Sequence, residues 1–373
     1  MKYYLIAGEA SGDLHGANLM RALAQQDERA NFRYWGGDQM QGVGGTLVKH
    51  IRDLAFMGFV EVVANLRTIL GNIRYCKEDI QTWSPDVLIL IDYPGFNLRI
   101  VKWAKQRGLR NFYYISPQIW AWNTKRVHQI GQHVDRMFVI LPFEREFYQR
   151  FHYEVDYVGH PLIEAIEQQT TAPLPAPILA DPRPLIALLP GSRRQEVSRM
   201  LRTMASVVAR FPDYQFVIAG APALDTEFYQ SLLRHSGLPP DQQPPLVFGQ
   251  TYALLKRARA ALVASGTATL ETALFRVPQV VCYRGSAFNY WIFRSLIKVP
   301  YISLVNLIMG EKIVEELIQD RFNADELERE LGRLLTEEKA RELALQYEQL
   351  RQKLGDRGAS ERAAALMWGY LNA

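Results

Sequence analysis

A chain of 373 residues with a formal net charge of +4 is long enough for two full-sized cores and too weakly basic to be built around nucleic acid. Its 48% hydrophobic content is that of a soluble globular protein, and no uninterrupted apolar run reaches the roughly 18 residues a membrane-spanning helix needs. The 2 cysteines, Cys76 and Cys282, are isolated in sequence, so neither a cysteine metal site nor a disulfide framework is expected, and a reducing cytoplasm fits.

The chain opens on a short apolar strand, Tyr3–Ala7, which lacks the long apolar core of a signal peptide. Gly8-Glu9-Ala10-Ser11-Gly12-Asp13-Leu14-His15-Gly16 follows. This spacing fits neither the dinucleotide fingerprint nor a P-loop, and Glu9 and Asp13 would repel a phosphate. Small residues with carboxylates at a strand end suit recognition of hydroxyls. The competing reading is a tight turn into a capped helix. Further strands are expected at 32–35, 87–91, 112–115, 137–140 and 155–158, with helices at 15–24, 59–82, 98–106, 124–131 and 143–151. Apolar strands separated by helices mean a parallel sheet covered on both faces.

Within the 59–82 stretch, Phe59, Val62, Leu66, Ile69 and Ile73 recur at alternating spacings of three and four, flanked by Arg67, Arg74 and Lys77. The stripe reads either as a helix covering the sheet or as a surface helix meeting anionic lipid. Next, Ile89-Leu90-Ile91-Asp92-Tyr93-Pro94 puts one acid at the carboxyl end of an apolar strand. Partial desolvation there raises a carboxyl pKa and improves it as a general base. The competing reading is a helix cap. Trp120 and Trp122, in a Pro-containing loop, either flank a sugar or acyl chain or plug the core edge. His160, in Gly159-His160-Pro161, either touches substrate or holds a turn.

Prolines at 173, 175, 177, 182 and 184 can continue neither a helix nor a central strand, so an interdomain linker is expected. A second strand series follows at 185–189, 215–219, 246–248, 260–264 and 279–283. Two Rossmann-like halves imply a cleft, with ligands beyond the carboxyl ends of the strands. The first strand of this half runs into Pro190-Gly191-Ser192-Arg193. Ser192 is expected to cap a helix whose free N–H groups, with the Arg193 fork, suit a diphosphate. A second strand-to-helix turn, Ser265-Gly266-Thr267, precedes Glu271, which can accept both ribose hydroxyls or serve as a capping acid. Two such turns suggest nucleotide-sugar chemistry. A helical tail from about Asp325 is broken at Gly355-Asp356-Arg357-Gly358, and Ser360 is expected to cap a last helix.

These stretches together resemble lipid-A-disaccharide synthase: AGEASGD (7–13), MGFVEV (57–62), IDYPGFN (91–97), SPQIWAW (116–122) with KRV (125–127), LPFE (141–144), VGHP (158–161), LLPGSRRQEV (188–197), SGTATLE (265–271) and YISLVNL (301–307). They run through almost the whole chain in order. The resemblance implies an α/β fold of the GT-B type, two Rossmann-like domains facing a cleft. The expected boundaries are 1–168 for the acceptor and lipid-side domain, 169–184 for the linker, 185–345 for the UDP-sugar domain, and 346–373 for helices packing back on the first domain.

The resemblance also implies an inverting hexosyltransferase with no cofactor and no metal. The donor would be UDP-2,3-diacylglucosamine and the acceptor 2,3-diacylglucosamine 1-phosphate, joined by a β-1,6 linkage. The implied setting is cytoplasmic, peripheral on the inner membrane, and family members are known as dimers. Asp92 is then the base with His15 in reserve, and Arg193 stabilises the leaving diphosphate. Gly191, Ser192, Ser265, Gly266, Thr267 and Glu271 hold the UDP-sugar. Glu9, Ser11, Gly12, Asp13, Trp120 and His160 meet the acceptor sugar, and Phe59, Val62, Leu66, Ile69 and Ile73 meet the membrane. Gly95 departs from the family, which often carries a second acid there. The rival readings are a UDP-N-acetylglucosamine 2-epimerase and a non-catalytic nucleotide-sugar-binding protein.

Overall fold

Strand β4, Val87–Ile91, is buried at every position, and its side chains feed two separate cores. Leu88 and Leu90 point into one cluster with Ile73, Cys76 and Ile80 of helix Leu66–Trp83 and Ile100 and Val101 of helix Pro94–Gln106. Val87, Ile89 and Ile91 point into the other, with Leu19, Met20 and Leu23 of helix Ala10–Gln26 and Ala363, Ala364 and Met367 of helix Ala359–Asn372. The two-residue period of a strand thus supplies both faces of a doubly covered sheet. The computed structural model describes residues 1–54, 66–168, 172–285 and 299–373, with side chains excepted at 66, 122 and 168.

The chain divides into two compact units, Met1–Glu164 with Asp356–Ala373, and Ala165–Gly355. Among the described residues the first holds a seven-stranded parallel sheet in the order β3-β2-β1-β4-β5-β6-β7. The strands are β1 Lys2–Ala7, β2 Asn31–Gly36, β3 Thr46–His50, β4, β5 Asn111–Tyr114, β6 Arg136–Val139 and β7 Asp156–Tyr157. Among its described residues the second holds a six-stranded parallel sheet in the order β10-β9-β8-β11-β12-β13. Its strands are β8 Leu185–Leu189, β9 Gln215–Gly220, β10 Leu246–Phe248, β11 Ala258–Ala264, β12 Gln279–Tyr283 and β13 Glu315–Ile318. Each order reverses once, between β1 and β4 and between β8 and β11. Such a reversal opens a crevice at the carboxyl ends of the two strands, where open α/β sheets bind ligands.

Two edge strands escape a reading by apolar runs. Strand β3 carries Thr46, Lys49 and His50, and β13 begins with Glu315 and Glu316. An edge strand covered on fewer sides tolerates such charge. The proline-rich stretch also differs from a free linker. Residues 169–171 lie outside the described residues, but Leu174 and Ile178, the latter in helix Ala176–Ala180, are buried in the second unit's core.

The C-terminal return is shorter than the expected 346–373. Helix Glu337–Leu354 stays with the second unit and buries Leu343, Tyr347, Leu350 and Leu354. Only the last helix joins the first unit. Arg362 anchors it by donating to the carbonyls of Val158 at 2.8 Å and of Asp356 and Arg357 at 2.7 Å each. Its N-cap is Gly358, at φ +90°, so Ser360 lies inside the helix and does not cap it.

Candidate functional site

In the first unit the loops after β1 and β4 meet at the reversal point, since Ala7 pairs with Ile91. Asp92 follows β4 directly. It does not cap the next helix: helix Pro94–Gln106 has Tyr93 as N-cap and no side-chain cap bond. Asp92 and Tyr93 both adopt left-handed backbone, φ 44° and 47°, a region costly for residues with a Cβ. The Tyr93 ring lies over Gly8, where any Cβ would stand 2.3 Å from it, so that glycine is a close-approach requirement.

Burial, and then the charge of Glu9, push the Asp92 carboxyl up to about 7 against the opposing Tyr93 N–H. A carboxyl poised near neutrality suits proton abstraction. His15 is a weaker candidate. Burial pushes its pKa down to about 4, and its Nδ1 has no hydrogen-bond partner. It is deprotonated at neutral pH but has little affinity for a proton. Glu9 and Ser11 are exposed beside Asp92's loop, whereas Gly12 is buried, with a Cβ there 3.3 Å from that of Ala7. Gly95 needs no glycine for packing, because a side chain there would meet open space.

Several expected acceptor contacts are structural instead. Asp13 is buried and accepts from Gly37 N–H at 2.6 Å and from Gln39 and Met40 N–H at 3.0 Å each, so its carboxylate caps the short helix Asp38–Gln41. His160 is buried, and its Nδ1 accepts from Leu162 N–H at 3.1 Å, turning the chain into helix Leu162–Gln168. Burial, with His15 nearby, pushes its pKa down to about 3 and keeps the ring neutral. Trp120 is the core-edge plug. Its ring packs edge-on against Phe143, and its Nε1 donates to Glu144 at 3.2 Å. Glu144 itself is enclosed, raised to about 7 by burial, and capped by Leu141 N–H at 3.0 Å.

The lipid stripe divides. Phe59, Val62 and the Leu66 side chain lie outside the described residues. Ile73 is buried in the core and Ile69 packs against it, so both cover the sheet rather than face lipid. A helix periodicity fits core and bilayer alike; the neighbouring strand decides. On the outer face Leu70 is 55% exposed, with Arg67 and Arg74 also exposed.

In the second unit the turns after β8 and β11 are neighbours, because Leu189 pairs with Val263. Gly191 has φ +120°, and helix Arg194–Ala205 follows with Arg193, not Ser192, as N-cap. The carboxylate of Glu196 folds back on this turn and accepts from the N–H groups of Ser192 at 3.1 Å and Arg193 at 3.3 Å. The Arg193 guanidinium is exposed and reaches Glu196 at 3.4 Å. Sequence spacing hid this role of Glu196; the signal was its place three residues after the N-cap.

The Ser265 hydroxyl donates to the Ile302 carbonyl at 2.9 Å and so ties the turn to the 301–307 segment. Gly266 and Thr267 are exposed, and Thr267 opens helix Thr267–Leu274 without a side-chain cap. Glu271 lies one turn in. Its carboxylate accepts from the Tyr252 hydroxyl at 2.7 Å, and burial raises its pKa. The YISLVNL stretch is held by Glu316, whose carboxylate accepts from Ile302 N–H and Ser303 N–H at 3.0 Å each and from Asn306 Nδ2 at 2.9 Å.

The profile of a family described as lipid-A-disaccharide synthetase matches residues 3–367. A lipid-A-disaccharide synthase from Syntrophus aciditrophicus is 40% identical over 370 residues, covering 97% of this chain and 96% of the relative. Among solved structures, the glycotransferase of kitacinnamycin aligns at TM-score 0.69 and 16% identity over 99% of both chains. A UDP-N-acetylglucosamine 2-epimerase from Listeria monocytogenes, described as putative, aligns at TM-score 0.69 and 14% identity over 100% of this chain and 96% of its own. At such identities the structural likeness is one of fold, the two-domain α/β GT-B architecture. With the match to the family extending over nearly its whole length, the chain belongs to the lipid-A-disaccharide synthase family.

Proposed function

We propose that this glycosyltransferase moves 2,3-diacylglucosamine from its UDP derivative to the 6-hydroxyl of 2,3-diacylglucosamine 1-phosphate, with inversion at the anomeric carbon. The single observation carrying the chemical step is Asp92: a left-handed residue at the reversal point of the first sheet, with its carboxyl raised to about 7. The acceptor oxygen forms a bond to C1, the bond from C1 to the diphosphate oxygen breaks, UDP leaves with the electron pair, and Asp92 takes the hydroxyl proton. Arg193 and the N-terminus of helix Arg194–Ala205 stabilise the departing charge. Glu271 holds the ribose hydroxyls, while Gly266 and Thr267 offer the phosphate-facing turn. Glu9 and Ser11 serve the acceptor sugar.

No described helix is long and apolar enough to cross a membrane. Attachment to the cytoplasmic face of the inner membrane, with cations such as Arg67 and Arg74 facing anionic headgroups, and a homodimeric state belong to the same reading. The epimerase alternative rests on likeness of fold alone. The test is a product assay with synthetic diacylated donor and acceptor, run beside one with soluble UDP-N-acetylglucosamine. A β-1,6-linked disaccharide phosphate that disappears in Asp92→Asn while UDP still binds supports the reading. An Asp92→Asn variant turning over within about tenfold of wild type removes Asp92 as base, since general-base effects run to about 10²–10⁴. Epimerised UDP-sugar with no disaccharide overturns the reading.

A further inference from the structure

The left-handed turn at Asp92 and Tyr93 is held by side chains that no step of the transfer reaction uses. The Asp92 carbonyl oxygen accepts from Asn97 Nδ2 at 2.7 Å and from the Tyr113 hydroxyl at 2.5 Å. Asn97 is fully buried, and the same Nδ2 lies 3.3 Å from the Ile91 carbonyl and 3.4 Å from that of Ile6. One amide therefore reaches the ends of both strands that flank the reversal point. Tyr113, fully buried on β5, comes from the other side. Asp92 N–H donates to the Tyr114 carbonyl at 3.0 Å, and the Tyr93 ring is stacked on Phe96 and packed over Gly8.

Two successive left-handed residues with side chains persist only where the surroundings over-determine them. Here two donors fix one carbonyl, and a fixed carbonyl fixes the peptide plane that aims the Asp92 side chain. We infer that Asn97 and Tyr113 form a clamp whose role is to position Asp92: they bind its backbone, not the substrate, and hold its carboxylate in the half-buried place beside Glu9. The inference rests on Asp92 being the base. Without the clamp the peptide rotates toward ordinary backbone, and the carboxylate moves toward water.

Tyr113→Phe removes one oxygen from a ring that stays in its place, and Asn97→Ala removes the other donor. Each is compared with wild type by kcat, by KM for donor and acceptor, by the pH profile of kcat/KM, by UDP affinity and by thermal melting. For Tyr113→Phe the expected result is a kcat lower by about tenfold or more, with KM and UDP affinity within about twofold, because a misplaced base alters the transition state alone. The acid limb of the profile, expected near 7 in the wild type, should move down toward the ordinary carboxyl range as desolvation is lost. Asn97→Ala should act in the same direction. A purely structural role would lower the melting temperature and leave the acid limb in place. Either variant, folded, with a wild-type kcat and an unmoved acid limb overturns the clamp. Asp92→Asn is measured in parallel: if it is active, the base assignment fails, whereas an inactive Asp92→Asn beside a wild-type-like Tyr113→Phe rejects the clamp alone.

Discussion

The backbone N–H of Ser192 donates to the Glu196 carboxylate at 3.1 Å, so the turn after β8 is shaped by an acid four residues downstream. The turn's glycine serves the same contact: a Cβ on Gly191 would stand 2.8 Å from both Cβ and Oε2 of Glu196. Glu196→Ala should therefore loosen the turn proposed to face the diphosphate. Loss of a capping bond of this kind typically costs about 0.5–2 kcal/mol. Calorimetry should show UDP binding weakened by about tenfold, a change of about 1.4 kcal/mol. Unchanged UDP affinity in a folded variant would show that the turn holds its form without Glu196.

Arg193→Ala should fold normally, because the guanidinium is exposed and its contact with Glu196 is a long one at 3.4 Å. Turnover should drop by about a hundredfold or more, as when a comparable charge-stabilising donor is removed. Wild-type activity should survive EDTA. Strict dependence on a divalent cation, or full activity in the variant, would assign leaving-group stabilisation elsewhere.

The pH dependence follows from Asp92. If Asp92 is the base, as proposed, it works when deprotonated, so kcat/KM should rise with pH through about 7. Stability runs the other way. A carboxyl raised above its unfolded value of 3.8 contributes stability present below that value and lost as pH rises through about 7. Each tenfold gain in the carboxylate's proton affinity on folding corresponds to about 1.4 kcal/mol. Asp92→Asn should accordingly melt above wild type at about pH 8, with the gap closing toward about pH 4. A variant less stable than wild type at alkaline pH contradicts the raised carboxyl.

Trp120→Phe separates structure from recognition. The variant keeps an aromatic ring against Phe143 but removes a donor from the enclosed Glu144. Leaving a buried acceptor short of a partner costs about 1–3 kcal/mol. Thermal melting should register this, while KM for the acceptor stays at the wild-type value. A large rise in that KM without loss of stability would return Trp120 to the sugar site.

The two faces of helix Leu66–Trp83 should respond differently to the same change. Ile73→Ser buries an unpaired hydroxyl and opens a cavity, with destabilisation of about 2–5 kcal/mol. Leu70→Ser, on the exposed face, should leave stability within about 0.5 kcal/mol. Flotation with anionic liposomes then tests the outer face, and reduced flotation of Leu70→Ser together with Arg67 and Arg74 replaced by Gln is the expected result. Full flotation of that triple variant moves membrane contact off this face.

The doubly wound sheets were legible because the central strands β1, β4, β8 and β11 are mostly apolar runs, and because Asp92, Gly191 and Ser265 stand just past such runs. What escaped is what tertiary turns create. Which N–H groups a fold leaves unsatisfied is invisible in sequence, so Asp13 read as a site residue or a local cap although it satisfies N–H groups of residues 37–40. His160 and Glu196 satisfy donors of their own turns, the turn reading of His160 being one of the two its sequence offered and the role of Glu196 going unread despite its capping spacing. The clamp residues were hidden differently. Asn97 looked like part of a motif and Tyr113 like one more strand aromatic; their shared target, one carbonyl oxygen, exists only once β1, β4 and β5 lie side by side. Strands β3 and β13 escaped because edges do not demand unbroken apolarity.

The last helix has a consequence for biosynthesis. Ala363, Ala364 and Met367 fill the core beneath β1, yet they are translated after the entire second unit. When synthesis has reached Glu164, helix Ala10–Gln26 therefore carries Leu19, Met20 and Leu23 in a core whose last members, on helix Ala359–Asn372, have not been made. Domains otherwise tend to fold as they leave the ribosome, N-terminal first. Here the first unit's core is completed only when the stretch from Ala165 to Ala373, about 209 residues, has been added at roughly 5–20 residues per second. Its maturation is timed by the length of its neighbour.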